Sequence, residues 1–109
     1  MNRRQFDFER LDLYHVCLHF YDLARSIIRA LPNGYAEERD QLKRAALSIF
    51  LNFCEGAGEF SPGEKARFYR MALRSGTECA AIIRILEHDL GQKSEFNEAI
   101  EDLLRIVAM

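Results

Sequence analysis

The sequence predicts an all-α protein, an antiparallel up-down-up-down four-helix bundle in a single domain over residues 1–109. Three observations carry this expectation. Apolar residues recur at three- and four-residue spacing through four stretches, and short clusters of Pro, Gly, Asn or Ser separate those stretches. No segment alternates apolar and polar residues as a half-buried strand does, and there is neither an internal repeat nor a low-complexity segment. Helices joined by short loops fold back on one another as antiparallel neighbours. A chain of 109 residues fills one core and leaves no room for a separate catalytic module.

The first helix is predicted over about residues 8–31, with Asp7 as its N-cap. Leu13, Val16, Cys17, Phe20, Tyr21, Leu23, Ala24, Ile27, Ile28 and Leu31 fall on one half of the wheel. Asp12, His15, His19, Asp22, Ser26 and Arg29 gather on the other. Pro32-Asn33-Gly34 ends the helix, because proline cannot continue the hydrogen-bond ladder and Asn-Gly readily turns left-handed.

The second helix, residues 36–56, opens with Glu37, Glu38 and Asp40 at the positive end of its dipole. At 100° per residue Gln41, Arg44, Ser48, Asn52 and Glu55 fall inside an arc of roughly 80°, leaving an apolar surface of about 240° from Leu42 to Cys54. A surface helix of a lone domain needs a stripe of only about 100°, so this helix has to be covered on more than one side. A second copy of the chain is the simplest further cover, with Leu47, Phe50 and Leu51 as the interface candidates.

Ser61-Pro62-Gly63-Glu64 fits the start of a third helix, residues 62–90: serine as cap, proline at the first helical position and glutamate at the third to reach back. Its predicted inner face is Phe68, Met71, Ala72, Ser75, Cys79, Ile82, Ile83, Leu86 and Leu90, with small residues between Ala72 and Ala81 that let another helix come close. Gly91 stops it. Ser94 is the predicted cap of a fourth helix, residues 95–108, with Phe96, Ala99, Ile100, Leu103, Leu104 and Val107 on its apolar face and Ile106 beside them.

Composition narrows the function classes. A net charge of −2 and a pI near 5.9 argue against a surface that binds nucleic acid or anionic membrane all over, though not against a local patch. MNRRQFDFER is basic, but the apolar run and small-residue cleavage site of an export signal do not follow it. Arg44, Asn52 and Glu55 interrupt the best candidate for the ~18 to 20 apolar residues of a membrane span. A cytoplasmic protein without a membrane partner is predicted. Cys17, Cys54 and Cys79 sit among apolar helical positions and read as buried free thiols.

The second helix carries Gln41, Arg44, Ala45, Ser48, Ile49, Asn52, Glu55 and Gly56 in the register Q-x-x-R-A-x-x-S-I-x-x-N-I-A-E-G, with Phe53 and Cys54 in place of Ile-Ala. Phe68, Ala72, Ser75 and Glu78 follow a second pattern, F-x-x-x-A-x-G-S-x-x-E, in which Arg74 replaces the glycine. Leu11, Leu13 and Tyr14 look like an L-x-V-W start. On these residues the chain resembles the four-helix-bundle family that includes the proteins encoded by intervening sequences in bacterial 23S ribosomal RNA genes. The resemblance implies a homopentameric ring of antiparallel bundles without enzymatic activity. A related group, the accessory variability proteins of diversity-generating retroelements, implies in addition a reverse-transcriptase partner and contact with nucleic acid.

Three sets of side chains are candidate sites. The polar stripe Gln41, Arg44, Ser48, Asn52, Glu55 and Gly56, together with Ser75 and Glu78, reads as a structural network in which Ser75 and Glu78 meet Arg44 or Asn52. Its alternative is a ring-lining or ligand-binding surface. Arg67, Arg70, Arg74 and Arg84 fall within about 100° of one another on the third helix and are the candidates for phosphate contact. The competing readings are a solvated face, or pairing across a protomer boundary with Glu95, Glu98, Glu101 and Asp102. His15 and His19 have the four-residue spacing at which two imidazoles share a metal, but no third ligand is evident and a solvated pair is the better reading. No nucleophile has a partner at catalytic spacing, and no phosphate loop or nucleophile elbow is present, so neither an enzyme nor a cofactor is predicted. The predicted role is an oligomeric interaction or assembly module that partners itself. The alternative is an RNA- or DNA-binding accessory factor using the arginine strip.

Overall fold

The computed structural model describes residues 5–108; residues 1–4, with the basic start weighed above for export, and residue 109 lie outside it. Four α-helices account for most of the chain: α1 (Asp12–Ala30), α2 (Ala36–Ala57), α3 (Pro62–Leu90) and α4 (Ser94–Val107), with a 3-10 turn at Asp7–Arg10 ahead of α1. No strand occurs among the described residues, and none of their helices is long and apolar enough to cross a membrane.

Local chemistry sets the ends of these helices. Gly34 and Gly91 take φ of 97° and 87°, the left-handed region that glycine enters without steric cost, and each stands in the connection that follows a helix. The Ser61 hydroxyl accepts from the Glu64 amide at 3.4 Å with Pro62 in the first turn. The Glu64 carboxylate does not reach back to complete a capping box. It turns forward to the Arg67 guanidinium at 2.9 and 3.1 Å.

Two predicted helix starts are corrected. Asp7 does not cap a helix at Phe8: the chain makes the 3-10 turn, extends at Leu11 (φ −87°, ψ 137°) and only then enters α1. The aromatic side chains account for the break, since Phe8 packs on Tyr14 at 5.7 Å and stacks with Phe6 at 5.4 Å, which a continuous helix would prevent. Ser94 is the first residue of α4 rather than its cap. Lys93 takes the cap position with extended backbone and no side-chain hydrogen bond.

Each helix packs on its two neighbours in the cyclic order α1, α2, α3, α4; among the described residues no Cα of α1 comes within 8 Å of one in α3, and none of α2 within 8 Å of one in α4. The shared core holds Phe20, Ile27, Leu42, Ile49, Phe53, Ile83, Leu86 and Ile106, all fully buried, with Cys17 and Cys79. Gly76 of α3 faces α4: a Cβ built there would stand 3.5 Å from Val107 Cγ1 and 4.0 Å from Ile106 Cγ2 and Leu103 Cδ2. Met71, expected on the inner face of α3, is exposed, as are Leu104 and Val107 of α4.

Candidate functional site

Ser48 is the hub of the polar seam between α2 and α3. Its Oγ accepts from Ser75 Oγ across the helix pair at 2.8 Å and from Asn52 Nδ2 on its own helix at 3.0 Å; the same amide donates to the Ser48 carbonyl at 2.9 Å. These half-buried groups floor an open cleft of about 370 Å³ whose rim carries Met71, Arg74 and Glu78. Ser75 thus meets Ser48, not Arg44 or Asn52. Gln41, Arg44, Glu55 and Glu78 are exposed and outside the hydrogen-bonded set. Helical geometry gives the reason, because within the stripe Ser48 and Asn52 are the members turned most toward α3.

Asn52 ties mainly to its own helix, so Asn52→Ala is expected to cost about 1 kcal/mol, the net worth of an ordinary hydrogen bond. Thermal melts followed by circular dichroism read this directly. A melting curve identical to wild type removes the stabilising role of the seam.

One turn further along, Gly56 is buried against Phe68 and Tyr69 of α3. A Cβ there would lie 2.8 Å from the Tyr69 ring and 3.1 Å from Phe68 Cβ.

The arginine strip divides in two. Arg67 and Arg84 are neutralised within α3, by Glu64 at 2.9 Å and Glu87 at 2.8 Å. Arg70 and Arg74 are exposed and make no ion pair among the described residues. Glu87 is buried, and its second carboxylate oxygen has no hydrogen-bond partner.

The acids of α4 face α1. Asp102 is buried, and its Oδ2 takes the His19 Nδ1–H at 2.5 Å, while Glu95 accepts from Ser26 Oγ at 2.5 Å. That hydrogen bond, with the charges of Asp102, Glu98 and Asp22, raises the His19 pKa against a smaller opposing effect of burial. His15 is exposed and lines the same open cleft as His19, with Glu98, Glu101 and Arg105 around it. Two expectations change here: His19 is not simply solvated, and Glu95 and Asp102 are engaged within the chain. Among the described residues no group of three or more His, Cys, Asp or Glu is placed to hold a metal ion.

All three cysteines are free. Burial, first among the causes, pushes Cys17 and Cys79 up to about 12 and Cys54 up to about 11, so each stays a protonated thiol at neutral pH.

Sequence reading missed the Asp102 latch, although a signal was present. Asp102 stands three residues after Ala99 and four before Ile106, inside the apolar arc of α4, where a carboxylate is buried and needs a donor. Glu87, four residues after Ile83, stands in the same way on α3.

Four helices around one core, with polar seams between neighbours, define a small all-α four-helix protein. Within that class, the family model described as 23S rRNA-intervening sequence protein matches residues 9–109, and the chain belongs to that family. No curated protein matches it.

Proposed function

We propose that this chain is a cytoplasmic, non-enzymatic assembly module: an antiparallel up-down-up-down bundle that closes with copies of itself into a homopentameric ring. The observation that carries this reading is a pair of exposed apolar faces on α2 and α4, which are not neighbours in the cyclic order of helices. Leu47 and Leu51 on α2 are 44% and 49% exposed; Leu104 and Val107 on α4 are 62% and 40% exposed. Phe50, the third interface candidate, is half-buried against Tyr14 and Tyr21 and contributes an edge only. A two-fold dimer uses one self-complementary face, whereas a head-to-tail contact uses two different faces and closes into a ring when the rotation allows. The number five is what the family resemblance implies.

Contacts far apart in sequence support the antiparallel order. Tyr35 at the start of α2 bonds Asp89 near the end of α3, and Ser48 bonds Ser75. Ser26 and His19 of α1 pair with Glu95 and Asp102 of α4 in reverse order. The protonated thiols, none of them a ready nucleophile, support a non-catalytic role.

The test is light scattering on wild type and on a Leu47→Glu/Leu51→Glu variant. Wild type is expected at about five times the 12.7 kDa protomer mass. The variant is expected to be monomeric with unchanged helix content, because both side chains already face water in the single chain. A wild type that runs as one protomer at micromolar concentration ends the ring reading.

A second reading, the nucleic-acid accessory factor, is favoured by the exposed guanidinium groups of Arg70 and Arg74, which make no ion pair among the described residues. Two charges on a chain of net −2 are a small footprint for phosphate binding, and Arg67 and Arg84 no longer add to it.

A further inference from the structure

The latch between α1 and α4 lies in an open cleft of about 340 Å³ lined by His15, Val16, His19, Glu98, Glu101, Asp102 and Arg105. The Nδ1–H of the exposed His19 is committed to the buried carboxylate of Asp102. Nε2 is on the opposite edge of the ring, so fixing Nδ1 inward leaves the lone pair of Nε2 turned toward water. A carboxylate placed behind a histidine in this way sets the tautomer and the orientation of the ring, and it makes the ring a stronger donor to a metal ion. The raised proton affinity of His19, caused first by the same hydrogen bond, agrees with that.

His15 precedes His19 by one helical turn and lines the same cleft, where its ring meets that of Tyr14 edge to face at 5.1 Å. Residues four apart on a helix have Cβ atoms about 5–6 Å from each other, and two imidazoles at that spacing can share one ion at bonds of about 2.0–2.1 Å. The cleft sets the carboxylates of Glu98, Glu101 and Asp102 against the single guanidinium of Arg105, a balance that favours a cation over an anion. The imidazoles choose among cations. Calcium and magnesium take oxygen ligands, whereas zinc, copper and nickel take imidazole nitrogen.

We propose that His15 and His19 bind a divalent transition metal of the zinc class, with Asp102 as the outer carboxylate that positions His19. No third His, Cys, Asp or Glu among the described residues is placed to join the pair, so water fills the remaining coordination positions and the ion exchanges readily. The site is independent of the ring reading. It faces α1 from α4, whereas Val107 of the exposed apolar pair on α4 meets Gly76 of α3. Both ligands belong to one helix, and an ion that binds them in folded α1 but not in the unfolded chain raises stability by mass action.

The experiment is calorimetric titration of the untagged chain with zinc chloride at neutral pH, joined to thermal melts with and without the metal at fixed protomer concentration. Wild type is expected to bind one zinc ion per protomer and to melt at a higher temperature when zinc is present. His15→Ala removes an exposed ligand, so it is expected to abolish both effects and to leave the metal-free melt unchanged. Asp102→Asn keeps both imidazoles and is expected to weaken binding about 10- to 100-fold. His88→Ala, on α3, is expected to change nothing. In wild type, NMR of the His19 ring nitrogens gives the positioning result without a substitution: zinc should shift Nε2 and leave Nδ1 protonated. The proposal is overturned by a wild type without saturable binding, by binding that His15→Ala leaves intact, by binding that His88→Ala abolishes, or by zinc at Nδ1. Equal affinity in wild type and Asp102→Asn overturns it as well, because what then remains is a pair of exposed histidines with no carboxylate tuning them.

Discussion

Replacing Gly56 by valine is expected to lower the stability of the fold by about 3 kcal/mol, the upper end of what overpacking usually costs. The first added carbon alone would stand 2.8 Å from Cδ1 and Cε1 of the Tyr69 ring and 3.1 Å from Phe68 Cβ. The ring can rotate or slide, but Phe68 Cβ is fixed to the backbone of α3, so α2 and α3 have to part. Separation at this end strains the Ser48–Ser75 contact two turns away and exposes Phe53, whose ring stacks on Tyr69 at 6.0 Å. Alanine provides the comparison. It adds the same carbon but gains about 1 kcal/mol of helix propensity over glycine, so Gly56→Ala should lose much less than the valine variant. Urea unfolding at one fixed protomer concentration separates the two, because assembly makes stability depend on concentration. A valine variant as stable as wild type would mean that this close approach is not needed.

Gly56 also marks the limit of what the sequence makes legible. In the chain it reads as a helix terminator next to Gly58, and α2 does run only one residue beyond it. That it packs tightly against α3 depends on Tyr69, thirteen residues away, and no local pattern links the two. Features set by neighbouring residues read well for the opposite reason. The Ser61-Pro62 start, the left-handed turn at Gly34 and the stop at Gly91 are fixed by the backbone preferences of those residues themselves. Helix periodicity likewise assigns Phe20, Ile49, Ile83 and Ile106 to one core. It does not say which of two apolar edges finds a partner within the chain, and so Met71, Leu104 and Val107 read as interior although they meet water. The polar stripe of α2 was visible as a stripe. Its division into a bonded half, Ser48 and Asn52, and an outward half, Arg44 and Glu55, depends on where α3 lies.

His19→Ala is expected to destabilise the protein by about 1–3 kcal/mol, whereas Asp102→Asn costs less, and the asymmetry follows from burial. The His19 side chain is 56% exposed and the Asp102 side chain 7%. Removing the histidine leaves a buried carboxylate with its only described partner gone; neutralising the carboxylate leaves an imidazole that water solvates well. The pair also gives the fold a pH dependence whose sign is fixed. The bond to Asp102 raises the His19 pKa above its ordinary 6.5, so the folded state binds the proton more tightly than the unfolded chain. The stabilisation due to protonated His19 is therefore complete below about pH 6.5 and is lost as pH rises through the raised folded-state value. The difference in unfolding free energy between wild type and His19→Ala, followed across pH, isolates this contribution. It should be largest in mild acid and shrink toward alkaline pH, leaving the part due to the neutral imidazole's hydrogen bond. In Asp102→Asn, the His19 ring protons followed by NMR should titrate near the ordinary histidine range. A difference that stays constant between about pH 5 and 9 would mean that His19 carries no extra proton affinity in the fold, and that α1 and α4 are held by packing alone.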